Sequence, residues 1–127
     1  MIKEFKKGHE ILLSDNFKST EFDCKCNYPE CEITYIETDL VDKLEEKRKQ
    51  FDRCIFINSG FRCIRHNHEI GGAAGSYHLT GRAADIRVTG VHPKKVAEGC
   101  EDFDGVIIYD TFTHVDLRGY RYRKDSR

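Results

Sequence analysis

Ala83-Ala84-Asp85-Ile86-Arg87-Val88 alternates without a break, with Ala84, Ile86 and Val88 on one side and Ala83, Asp85 and Arg87 on the other. That is the period of a strand with one buried face. Downstream, Thr113-His114-Val115-Asp116-Leu117-Arg118 repeats the split: Val115 and Leu117 share an apolar face, and His114, Asp116 and Arg118 share the opposite one. Two such strands predict a sheet whose apolar face meets a core and whose titratable face borders a cleft.

Outward from these strands, Val106 to Tyr109 reads as a further strand, joined to 113–117 by a tight connection at 110–112. The β-branched and aromatic run from Cys54 to Asn58, closed by Ser59-Gly60, reads as another. Ile36, Leu40, Val41, Leu44 and Phe51 recur at helical spacing and predict a helix over 35–51. Pro93 suits the first turn of a short helix running to about Gly99. Turn-forming residues make 14–31 loop-rich, and the glycine-bearing segment 62–81 predicts a long ordered loop, with or without a short helix. Residues 1–13 read as an arm or first strand, and the locally basic 120–127 as a solvated tail. The class is α+β: a small, largely antiparallel sheet with helices packed on one face and a cleft on the other.

The chain has 127 residues, a size that suits one domain, with its core over about 14–119. With 21 basic and 22 acidic residues the net charge is −1, which gives no support to nucleic-acid or membrane-surface binding. No apolar run exceeds four residues, so a transmembrane span and the apolar centre of a signal peptide are not expected.

Asp85 and His114 share the non-core face of the sheet, and His78 lies seven residues before Asp85 at the end of the glycine-bearing loop. Two imidazoles and one carboxylate form a three-ligand set that leaves zinc an open fourth position, the catalytic type of site. Around them runs an ordered series: Ser59-Gly60-Phe61-Arg62, His66-Asn67, Ile70-Gly71-Gly72-Ala73, the word from Ser76-Tyr77-His78 to Ala84-Asp85, and Phe112-Thr113-His114-Val115-Asp116-Leu117-Arg118-Gly119. This series, spread over Asn16 to Gly119, resembles the zinc D-alanyl-D-alanine carboxypeptidase family in its small phage and bacterial branch.

The resemblance implies that His78, Asp85 and His114 hold a catalytic zinc and that Arg62 helps hold the substrate, its planar guanidinium matching a carboxylate or a polarised carbonyl. Ser76 is expected either to donate to substrate or to hold the loop. Many relatives carry an acidic general base three residues before the last zinc histidine, where this chain has Thr111. Asp116 is therefore expected to take the proton, with Asp110 as the alternative; Asp116 is also suited to orienting His114 instead. His66 and His68 read as architectural, and His9 and His92 as solvated.

Cys24, Cys26 and Cys31 form a Cys-x-Cys-x4-Cys cluster. A second, structural zinc with a fourth ligand from Cys54, Cys63 or Cys100, a disulfide, and free thiols all remain open. The expected activity is zinc-dependent hydrolysis of peptidoglycan stem peptides, as D-Ala-D-Ala carboxypeptidase or cross-link endopeptidase, by a monomer made in the cytoplasm and acting at the cell wall once released, for example at lysis. The alternatives are a wall-peptide-binding or phage structural protein of the same fold with weak or no turnover, and a structural metal protein centred on the cysteines.

Overall fold

In the computed structural model, which describes residues 1–127, the elements in chain order are β1 (Ile2–Lys6), β2 (Leu12–Ser14), β3 (Phe17–Lys18), β4 (Ile33–Glu37), α1 (Thr38–Phe51), β5 (Ile55–Ser59), α2 (Ile64–Glu69), β6 (Ala83–Val88), α3 (Pro93–Glu98), β7 (Gly105–Ile108), β8 (Thr113–Asp116) and β9 (Tyr122–Asp125). Short 3-10 turns occupy Ser19–Phe22 and Tyr77–Thr80. The principal sheet has the order β5-β6-β8-β7-β9 and is antiparallel except for the β7/β9 pair. β1 pairs with β4 and β2 with β3 in two small antiparallel ribbons. The α+β class expected from the sequence is the class observed.

The period-2 reading of β6 and β8 holds. Ala84, Ile86 and Val88 are buried with Val106 and Val115 in a core that also takes Leu40, Val41 and Leu44 of α1 and Val96 and Ala97 of α3. α1 and α3 therefore cover one face of the sheet, and burying this apolar area is the main favourable term in folding. In the register of the sheet Asp85 lies opposite His114, which fixes those two titratable side chains as neighbours on the other face.

Two expectations need correction. The helix expected over 35–51 begins at Thr38, because Ile33-Thr34-Tyr35-Ile36-Glu37 pairs as β4 with β1. The β-branched and aromatic run favours the strand, and the Glu37 side chain, accepting from the Asp39 N–H at 3.3 Å, starts the helix after it. The tail expected to be solvated is instead the edge strand β9, from which the Arg123 guanidinium donates to the carbonyls of Glu101, Phe103, Asp104 and Tyr122 at 2.7–3.1 Å.

Two further devices place the loop that carries His78. Gly81 closes the 77–80 turn at φ +77°, and a Cβ there would lie 2.1 Å from the Tyr35 carbonyl oxygen, so only glycine lets the loop meet β4 this closely. The register of β5 shifts between Ile57 and Ser59, which sets Ser59 opposite Asp85 and turns the chain toward Arg62. No helix is long and apolar enough to cross a membrane.

Candidate functional site

His78 arrives on the 77–80 turn, Asp85 on the central strand β6 and His114 on β8; all three are buried. Their ligand atoms lie within 4.8 Å of one another. His78 Nε2 is 3.2 Å and His114 Nδ1 3.0 Å from Asp85 Oδ1, and the two rings meet edge to face with centroids 5.1 Å apart.

The far side of each ring fixes which nitrogen carries the proton. His78 Nδ1 is 2.7 Å from the Gly60 carbonyl oxygen, which can only accept, so Nδ1 donates. His114 Nε2 is 2.6 Å from Asp116 Oδ2, so Nε2 donates there. In the neutral rings this leaves lone pairs on His78 Nε2 and His114 Nδ1, both aimed at the same carboxylate oxygen. Three acceptors facing one point repel each other unless a cation or an extra proton lies between them. A nitrogen-nitrogen-oxygen donor set with both distal nitrogens held by acceptors fits a divalent ion such as zinc.

The titration behaviour is that of the metal-free cluster, in which a proton on an imidazole takes the place of the cation. Burial alone would raise the pKa of Asp85, but the His114 and His78 contacts outweigh it and hold the carboxyl well below the usual range. Burial opposes charge on His114, yet Asp116 and Asp85 raise its pKa. Asp116, for which burial works upward, is brought down to about 2 by His114 and Arg118.

Arg62 is tied at three points: Nε to Ser59 Oγ at 2.9 Å, Nη1 to Asn67 Oδ1 at 3.2 Å and Nη2 to Asp85 Oδ2 at 2.9 Å. The ion pair occupies the second oxygen of Asp85 and leaves Oδ1 for the shared point between the histidines. Asn67, buried in α2, also donates to the Ala73 carbonyl at 2.9 Å and so pins the glycine-bearing loop to Arg62. Ser76 Oγ accepts from the His78 N–H at 3.2 Å, which makes it the cap of the turn that presents the histidine.

The expected base residues are placed elsewhere. Asp116 is 0% exposed; besides His114, it accepts from Arg118 Nη2 at 2.6 Å and Nε at 2.9 Å. It sits behind His114, in room that exists because residue 105 is glycine: a Cβ there would lie 2.3 Å from the Asp116 oxygens. Asp110 is exposed and, like Thr111, lies outside the lining of the cleft.

The three convergent residues open into a cleft of about 480 Å3 in which Asp85 is the only carboxylate. Its walls include residues that the sequence reading missed as site residues, notably Tyr109, Phe112, Tyr122 and Lys124. Tyr109 and Phe112 stack at 4.6 Å, and burial with the nearby Asp85 charge raises the Tyr109 pKa. Tyr122 and Lys124 belong to β9, so no reading that left the tail in solvent could find them.

Among the other titratable residues, His9 and His68 are exposed; His92 is also exposed and caps α3 by accepting from the Lys94 N–H at 3.1 Å. All six cysteines are free. Cys24, Cys26 and Cys31 come together with Cys63, whereas Cys54 is exposed and Cys100 lies in the core.

No curated protein matches the chain. A family described as peptidase M15, however, matches residues 15–116, a span that takes in all three convergent residues. The chain accordingly belongs to the peptidase M15 family, that of the zinc D-alanyl-D-alanine carboxypeptidases.

Proposed function

We propose that the protein is a zinc peptidase acting on short peptides of the bacterial cell wall, with His78, Asp85 and His114 as the zinc ligands. The observation that carries this reading is the convergence of two imidazole lone pairs on one oxygen of Asp85 at the base of an open cleft. Zinc held there would lower the pKa of a coordinated water toward neutrality and polarise a scissile carbonyl.

The chain's own residues supply binding and orientation. Of the five N–H donors of Arg62, three are used internally, leaving two for a substrate carboxylate or carbonyl oxygen. Asp116 acts as a positioning residue: it fixes the tautomer and ring orientation of His114. Tyr109 stays protonated at neutral pH and offers an O–H donor at the cleft wall, and the exposed Lys124 adds positive charge that favours an anionic peptide end.

In the test, zinc-loaded protein is incubated with purified muropeptides and the products are weighed by mass spectrometry. Loss of one alanine from pentapeptide stems identifies a carboxypeptidase, and splitting of cross-linked dimers an endopeptidase. Asp85→Ala should abolish either activity. Intact substrates after incubation with fully zinc-loaded protein would exclude the peptidase reading.

One observation favours a second reading, a protein that binds wall peptide without efficient turnover. Asp85 Oδ2 is tied to Arg62 and both oxygens of Asp116 are engaged, so the cleft has no unengaged carboxylate to take a proton. Saturable binding of stem peptide by calorimetry, with no products, would establish that alternative.

A further inference from the structure

We propose that the protein holds a second metal centre, a closed four-cysteine zinc site formed by Cys24, Cys26, Cys31 and Cys63. The four sulfurs lie within 4.8 Å of one another, with Cys24 Sγ 3.7 Å and Cys26 Sγ 3.9 Å from Cys63 Sγ. Tetrahedral zinc with Zn–S bonds of about 2.3 Å requires sulfur–sulfur edges of about 3.8 Å. A disulfide would bring one pair to about 2.05 Å. The two edges to Cys63 match those of a coordination tetrahedron, all four sulfurs lie close enough to share one ion, and no pair is cross-linked.

The surroundings suit thiolates. The Cys63 N–H donates to Cys24 Sγ at 3.3 Å, and the His66 N–H to Cys63 Sγ at 3.4 Å. The Lys7 ammonium lies 3.3 Å from Cys26 Sγ and 3.0 Å from the Cys26 carbonyl oxygen. Four thiolates around a dication leave a net negative charge, which these N–H groups and the lysine offset. With all four positions filled by protein the centre would be structural, since no position remains for water or substrate.

The consequence is mechanical. Between Asp23 and the start of β4 at Ile33 the chain has no regular element. A metal would bind this loop to Cys63, the residue that caps α2 and directly follows Arg62. Arg65 over the Tyr28 ring at 3.8 Å, and paired with Glu30 at 3.1 Å, joins the same two segments from outside. The centre therefore anchors the segment that presents Arg62 to Asp85. The Cys-x-Cys-x4-Cys spacing cannot select a fourth ligand; the fold selects Cys63, because Cys54 and Cys100 lie elsewhere.

The experiment is metal analysis of the full chain purified with reductant from zinc-sufficient medium. About two zinc ions per chain are expected in the unmodified protein, and about one in His78→Ala, which separates this centre from the cleft. Cobalt substituted into His78→Ala should give an intense sulfur-to-cobalt charge-transfer band. A mercurial thiol reagent should release the remaining zinc, and His78→Ala with Cys31→Ser should retain none. If the double variant does not fold, the cobalt spectrum of His78→Ala decides alone: a band supports the proposal, and no band overturns it. Zinc-free His78→Ala protein with a native far-ultraviolet spectrum, or peptide maps linking these cysteines in pairs, would likewise overturn it.

Discussion

His114 is gripped at both ring nitrogens: Asp116 accepts the proton of Nε2 at 2.6 Å, and Nδ1 faces Asp85 at 3.0 Å. A carboxylate behind a ligand histidine raises the basicity of the ring and holds its orientation, and losing such a partner typically costs 10–100-fold in metal affinity, as an order of magnitude. Asp116→Asn keeps the volume and removes the charge, so it should weaken zinc binding by about that factor while leaving the far-ultraviolet spectrum unchanged. Competition against a chromophoric chelator measures this, and an affinity within about twofold of the parent would remove the orienting role. Gly105→Ala should act in the same direction, because its methyl group would occupy the place of the Asp116 oxygens. The same pair of residues explains why the burial of Asp116 behind His114 could not be read from the sequence. Alternation put His114 and Asp116 on one face, but depth within that face depends on what the neighbouring strand carries. Opposite Asp116 it carries only a hydrogen atom as its side chain.

Among the elements, those legible in the sequence were the ones whose own pattern matches their burial. β6 and β8 alternate because one face meets the core, and α3 opens on a proline suited to its first turn. The last three residues of β4 read as helix because Ile36 fits both periods, and only pairing with β1, far upstream in the chain, decides between them. β9 has no apolar alternation in Tyr-Arg-Lys-Asp; it is held by backbone pairing with β7 and by one arginine reaching four carbonyls. α1 carries a further device, a buried Glu45 that docks the β2/β3 hairpin. Its Oε1 accepts from Ser14 Oγ at 2.7 Å and the Asn16 N–H at 2.8 Å, and its Oε2 accepts from Asn16 Nδ2 at 2.7 Å. Burial alone would raise the Glu45 pKa, but the Asn16 and Ser14 hydrogen bonds together lower it. A carboxyl lowered in the folded state stabilises the fold above its unfolded pKa of about 4.3 and loses that contribution as the pH falls through the folded value. Glu45→Gln should therefore cost about 1–3 kcal/mol at neutral pH by urea unfolding. Below about pH 4 the gap between the two proteins should narrow. A gap of constant size down to acid pH would show that the charge is not what docks the hairpin.

Across the whole molecule, the sheet separates stability from chemistry. The core of α1, α3 and the inward faces of β6, β7 and β8 lies on one side, and the His78, Asp85 and His114 cluster on the other. This division was visible in the sequence, since each strand carries both sets of residues in alternate positions; the composition of the cleft wall was not, because it is assembled from loop and tail residues distant in the chain. The division also sets what should happen when either side is damaged in metal-free protein. His78→Ala removes one hydrogen bond to Gly60 but also relieves acceptors that face each other without a cation, so its cost should stay within about 1 kcal/mol. Leu44→Ala, at a fully buried core position, should cost about 2–5 kcal/mol. The binding side should reverse that ranking: His78→Ala should lose the cleft zinc, whereas Leu44→Ala, while folded, should bind it as the parent does. Urea unfolding in excess chelator, paired with zinc titration of the folded proteins, reads both quantities. A His78→Ala variant destabilised as strongly as Leu44→Ala would mean that the ligand side bears part of the fold, and the separation across the sheet would fail.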